Sequence, residues 1–209
     1  MFYETDKRDK TLLPHDPFKA LIAPRPIGWV STMNKAGQVN LAPYSFFNAF
    51  SGAPPLIGFS SEGEKDSMTF AIESGEFVWN MATFDLRFQM SDSSAPLGRG
   101  ESEFAHTGLE TEPARLVRAP MIKASPAKLE CKVVDVFHLR DMTGAHTSNY
   151  LVMGQVIGVH IDESYIENGI VQVTRMKPIS RCGYQDYSVF DEVFSMKRPA
   201  GAGNAAAGG

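Results

Sequence analysis

The sequence predicts a mainly β protein, an antiparallel barrel with a few flanking helices. Three features carry that expectation. Several β-rich runs are joined by hairpin-length turns, only two or three short stretches have helical spacing, and strands do not alternate with long helices as parallel βαβ sheets require. About seven strands are expected, with no internal repeat.

The elements follow in chain order. A Pro-interrupted run leads into IGWVST (27–32), and the turn NKAG (34–37) returns the chain into NLAPYSFFNAF (40–50), which is hairpin grammar. After the turn SGAP (51–54) comes PPLIGFSS (54–61), a short apolar strand. EGEKDSMTFAIESGEF (62–77) has helical spacing: Asp66 or Ser67 can cap it, Met68, Phe70, Ala71 and Ile72 form an apolar side, and Gly75 stops it. FVWNM (77–81) resumes strand character.

A further helix is expected within TFDLRFQMSDSSAP (83–96), followed by an exposed linker rich in Gly, Glu and Ser (97–116). KLECKVVDVFHL (128–139) and NYLVMGQVIGVHID (149–162) are two long strands joined by a loop (140–148). The second is nearly all apolar, so burial on both faces is expected. Residues 1–199 then make one domain, and the small, featureless stretch 200–209 is expected to be a mobile tail, having little surface to offset the entropy of ordering it.

Composition excludes several function classes. The 209 residues are 43% hydrophobic and 21% charged, with formal charge −4 and basic residues scattered, so neither a nucleic-acid backbone nor an anionic membrane surface is an expected partner. Cys131 and Cys182 are far apart and lack zinc-ligand spacing, no apolar run approaches the roughly 20 residues of a membrane span, and the N-terminus lacks a signal-peptide core. A cytoplasmic location is expected.

The chemistry-bearing residues lie in two places. In 40–61, Ser45, Asn48 and Ser51 sit among Tyr44, Phe46, Phe47 and Phe50, and a buried polar group without a partner costs roughly 1–3 kcal/mol. Such groups must be satisfied by protein, by water or by a bound molecule. SSEGEKDS then sets Ser60 and Ser61 at a strand end and Lys65, Asp66 and Ser67 at a helix start, where free N–H groups and the helix dipole favour an anion. Ser31 and Thr32 end another strand. Each motif alone also fits an ordinary cap or a strand-end hydroxyl. Together they supply an apolar wall, hydroxyls and an anion site, which suits a planar ring with a phosphate tail.

Other devices are missing from the sequence. No GxGxxG follows a strand, and there is no GxxxxGK[ST] and no GxSxG. The five His residues are too dispersed for a metal triad or a nucleophile's base, His160 fits a sheet-edge histidine and Cys131 fits core packing. No metal site is expected.

APRPIGWVST, NLAPYSFFNAFS, PPLIGFSS, KDSMTFAIESGEFVWNM and RCGYQDYSVFDEVFSMKRP resemble, in that order, the flavin reductase-like proteins with an FMN-binding split barrel, over about Phe18 to Pro199. The resemblance implies a six-stranded antiparallel Greek-key barrel, a homodimer and one FMN per subunit near the dimer interface. Carried over by motif, Val30, Ser31 and Thr32 would flank the ribityl chain and ring, and Tyr44, Ser45, Phe46, Phe47 and Asn48 would run along the isoalloxazine. Ser60, Ser61, Lys65, Asp66 and Ser67 would surround the phosphate, with Ser67 standing where many relatives carry Thr. Arg181, Gly183 and Tyr187 form a shared C-terminal motif, placed either in dimer packing or as a lid.

The implied activity is NAD(P)H-dependent reduction of FMN, supplying a partner monooxygenase or another electron acceptor. The flavin carries the redox chemistry, so no acid/base pair is expected to stand out. The alternative is a flavoredoxin-like electron carrier without its own nicotinamide site, since the chain shows no clear pyridine-nucleotide fingerprint. A split barrel holding pyridoxal phosphate or haem is a third possibility, disfavoured by the fit of KDS to the flavin pattern.

Overall fold

The computed structural model describes residues 1–98, 101–197 and 199; the 200–209 tail lies outside them. Seven antiparallel strands make the main sheet: β1 Gly28–Met33, β2 Val39–Tyr44, β3 Phe47–Gly52, β4 Pro55–Glu62, β5 Glu76–Asn80, β6 Ala127–Arg140 and β7 His146–Ile161. Their order is β2-β1-β5-β6-β7-β4-β3. Helix α1, Asp66–Ser74, carries the chain from β4 to β5, and α2, Arg87–Asp92, and α3, Glu103–Thr107, follow β5. A small sheet of Arg25–Pro26, Ile179–Arg181 and Tyr187–Val189 stands beside the barrel.

Side chains from opposite ends of the sheet meet in one core, and that rolls it up. Tyr44 on the outermost strand β2 lies 4.8 Å, ring to ring, from Phe59 on β4, and Phe59 meets Phe77 of β5 edge-on at 5.5 Å. Val30, Ile57, Cys131, Val152, Met68 and Ala71 complete the cluster. No strand-to-strand ladder joins β2 to β3 among the described residues, so the barrel closes through its core and stays split at that seam. Gly154 of β7 faces Phe77 so closely that a Cβ there would collide with the ring.

Four expectations change. The main sheet has seven strands, where the resemblance implied six; edge strand β3 is mostly exposed and gives the core only the partly buried Phe47. Strand β7 is covered unevenly: Val152, Met153 and Val156 are buried, whereas Ile157 and Val159 are exposed, so only its last part has an open face. The run 40–50 is two strands, Val39–Tyr44 and Phe47–Gly52, where one return strand was expected, whereas the second helix, 87–92, falls within its predicted stretch 83–96. The predicted exposed linker contains α3, whose Glu103 and Phe104 are buried.

Buried glutamates explain how that poorly apolar segment is held. Fully buried Glu130 accepts hydrogen bonds from the backbone N–H groups of Arg115, Leu116 and Val117 at 2.6–3.0 Å, and from His160 Nε2 at 2.5 Å. Glu76 accepts from Arg118 N–H and Lys132 Nζ, both at 2.6 Å. Asn80 Oδ1 accepts from Ile122 N–H at 2.8 Å, and Ser31 donates to the Pro120 carbonyl at 2.6 Å. The segment thus docks through satisfied backbone groups as well as through buried Phe104, Val117, Ala119, Met121 and Ile122.

Burial raises the Glu76 and Glu130 carboxyls, but donors outweigh it and both end below their ordinary value of 4.5. A depressed native value means stability that is present above pH 4.5 and lost as pH falls through the native values. Urea unfolding should therefore show the protein weakening below that pH. Glu130→Ala, which strands three backbone donors, should cost about 3 kcal/mol or more at pH 7; a loss under about 1 kcal/mol would contradict the stapling role.

Candidate functional site

The seam between β2 and the α1 start opens into a groove. One cavity of about 450 Å³ is lined by Asn40, Ala42, Pro43 and Tyr44, by Glu64, Lys65, Asp66 and Ser67, and by 93–97 and Glu103. A second, of about 200 Å³, is lined by Ile27, Ser45, Met90, Ser91, Arg181 and Tyr187. They share Pro43, Tyr44 and Ser94, so they form one channel with Lys65 at one end and Arg181 at the other. Its size falls in the range that holds a cofactor.

Local sequence positions each wall. Gly75 in the left-handed conformation ends α1, as expected from sequence. The N-cap position belongs to Lys65, with extended backbone, and Asp66 and Ser67 fall in the first turn. The first-turn N–H groups lack intrahelical partners and face the same end as the Lys65 ammonium, which makes no ion pair among the described residues.

Behind this end runs a polar chain. Ser67 donates to Asn40 Oδ1 at 2.6 Å, Asn40 Nδ2 donates to Glu103 Oε1 at 2.9 Å, and Leu41 N–H donates to Glu103 Oε2 at 2.8 Å. The Tyr44 phenol joins it: burial holds its pKa above the ordinary range, with Glu103 and Asp66 adding to the rise, against hydrogen bonding with Ser67 and Ser61. Both Glu103 oxygens are occupied, so this carboxylate is a structural acceptor.

The predicted residues divide into three groups. Tyr44, Lys65, Asp66 and Ser67 line the larger cavity, and Ser45 the smaller. Ser61 is fully buried beside them, donating to the Gly63 carbonyl at 3.0 Å. Ser45 also borders a separate cavity of about 380 Å³ with Phe46, Phe47, Asn48 and Ser60. There Phe47 stacks on Trp79 at 6.0 Å, and exposed Phe46 has Lys19 and Arg25 over its ring. Val30 points into the barrel core, and Thr32 is buried with Oγ1 unpartnered. Ser31, on the opposite side of the strand, serves Pro120 and Asn80 and lines no part of the groove.

Sequence reasoning missed Asn40, Glu103 and the wall at Ser91–Leu97. It left Arg181 and Tyr187 between dimer packing and a lid; both line the groove. His160 is paired with Glu130 away from the groove, and Cys131 is a core residue whose thiol burial pushes up. No group of three or more His, Cys, Asp or Glu among the described residues could hold a metal ion.

The donor set fits a phosphorylated planar cofactor. Lys65 and the start of α1 stand at one end, an apolar wall of Pro43 and Tyr44 lies between, and Ser45 and Arg181 stand at the other. Lys65→Glu should weaken FMN by about tenfold or more while riboflavin, which lacks the phosphate, changes by about twofold at most, read by fluorescence titration. Equal losses would put the anion site elsewhere.

Comparison with known proteins agrees with this geometry. Residues 21–178 match the flavin reductase like domain. An uncharacterized protein of Bacillus subtilis is 34% identical over 194 residues, covering 88% of this chain and 94% of the relative. One from Halalkalibacterium halodurans is 34% identical over 183 residues, covering 85% and 87%. Among solved structures, nitrilotriacetate monooxygenase component B from Bacillus cereus superposes with TM-score 0.84 at 27% identity, covering 94% of this chain and 98% of that one. Flavoredoxin of Desulfovibrio vulgaris, at 20% identity, 86% and 92% coverage and TM-score 0.71, shares the fold. The chain belongs to the flavin reductase-like family and has its split-barrel fold.

Proposed function

We propose that the chain is an FMN-binding oxidoreductase that uses NAD(P)H to reduce its flavin and passes the electrons to a partner monooxygenase or another small acceptor. The observation that carries it is the continuous groove with Lys65 and the α1 amides at one end and Arg181 at the other. FMN bound there would supply the redox chemistry, accepting hydride from a nicotinamide. Lys65 and the first-turn amides of α1 would hold the phosphate, and Pro43 and Tyr44 would exclude water along one wall. Of the carboxylates lining the larger cavity, Glu103 is committed to Asn40 and Leu41. That suits a reaction whose protein part is positioning.

The component B relative supports a role in feeding an oxygenase. A second copy of the chain is proposed to cover the outer face carrying Phe46, Phe50 and Phe137, which are 40%, 54% and 47% exposed. Both cysteines are free, in keeping with a reducing cytoplasm, and no helix among the described residues is long and apolar enough to cross a membrane.

The test is anaerobic stopped-flow of the FMN-loaded protein with NADH and with NADPH. Fast, saturable bleaching of the flavin band by at least one of them is expected. Bleaching no faster than with free FMN would contradict the reductase and leave the electron carrier.

A further inference from the structure

Arg181 ends the groove opposite Lys65, and the structure invests heavily in fixing it there. Its guanidinium lies 4.5 Å from the Tyr187 ring centroid and donates from Nη2 to the Tyr184 carbonyl at 2.5 Å. Tyr184 presents that carbonyl from a left-handed backbone conformation, φ 55°, which a side chain other than glycine adopts only when its surroundings hold it there.

The hairpin is pinned from below as well. Cys182 N–H donates to Asp186 O at 2.9 Å and Asp186 N–H to Gly183 O at 3.0 Å. Buried Arg25 donates to the carbonyls of Cys182, at 2.9 Å, and Lys19. Gly183 packs on Ala20 where a Cβ would collide. Arg181 itself makes no ion pair among the described residues. A held guanidinium at the end of a binding groove, with no carboxylate partner among the described residues, is placed to meet a negatively charged ligand atom.

The wall from Asn40 to Tyr44 runs about 13 Å along β2. A flavin anchored by its phosphate at Lys65 in the larger cavity would extend its ring toward the adjoining cavity that Arg181 lines. Hydride uptake adds two electrons and one proton to a neutral oxidised ring, so the reduced ring carries one negative charge until a second proton arrives. Resting on the flavin assignment above, we propose that Arg181 is the residue that stabilises this charge, favouring the reduced over the oxidised cofactor. The Tyr187 face and the Tyr184 carbonyl hold the guanidinium in advance, so little reorganisation accompanies the change of charge.

The test compares FMN-loaded wild type, Arg181→Gln and Arg181→Lys. Oxidised FMN affinity is read by fluorescence, and the midpoint potential by anaerobic dye-coupled reduction across a pH series, without any nicotinamide. Arg181→Gln should bind oxidised FMN within about threefold of wild type but reduced FMN about tenfold more weakly, which lowers the two-electron potential by about 30 mV. The break in its potential-against-pH plot should move to higher pH, because the reduced ring loses the charge that keeps it deprotonated. Arg181→Lys keeps the charge and should hold its potential nearer wild type than Gln does. Equal weakening of both oxidation states, or an unmoved potential, would overturn the role of Arg181 alone. Wild-type protein that binds neither oxidation state would overturn the groove assignment itself.

Discussion

Tyr44 carries the constraint on which the rest of the structure depends. Its ring closes the barrel by packing on Phe59 from the far side of the sheet, and that places its phenol inside the protein. A buried hydroxyl needs polar partners. Ser61, at the end of β4, and Ser67, in the first turn of α1, are the polar neighbours that oppose the effect of burial on that phenol. Ser67 in turn orients Asn40, and Asn40 is held by Glu103 of α3. One aromatic residue thus couples closure of the core to placement of an anion-binding helix end.

The same economy governs the buried acids. Glu76, Glu103 and Glu130 look like a supply of catalytic carboxylates, yet each accepts at least one backbone N–H from a neighbouring segment. The low-dielectric interior makes such charge-assisted bonds strong only when the lone pairs are occupied, so these residues staple irregular chain to the barrel. The groove is left with Lys65 and Arg181 in its two cavities, with Glu64 and Asp66 beside Lys65, and an apolar wall between. That arrangement can bind and polarise a cofactor.

Much of the fold and part of the site are legible in the sequence. PYSFFN and SSEGEKDS stand out because polar residues interrupt apolar strand patterns or start a helix, and the structure brings Tyr44, Ser45, Lys65, Asp66 and Ser67 to one groove. Ser31 could have been set apart from Val30 and Thr32 by strand alternation, since it lies on the other face. Glu103 could not, because in a Gly- and Glu-rich segment nothing local separates a buried acceptor from a solvated charge. Arg181 is visible as a motif, but its place depends on tertiary docking: a three-stranded sheet, a buried arginine and a glycine contact more than 150 residues away in the chain. The uneven cover of β7 escapes for a related reason. Apolar content along a strand does not say how far a curled sheet is covered.

The central claim is that one groove holds the phosphate at Lys65 and the ring between Tyr44 and Arg181. A crystal structure of the protein with FMN tests it most directly. The account predicts phosphate oxygens within hydrogen-bonding distance of Lys65 Nζ and the first-turn amides of α1, and a ring edge beside Arg181. A phosphate bound elsewhere, as in the charged cavity of about 680 Å³ beside Lys128 and His160, would contradict it.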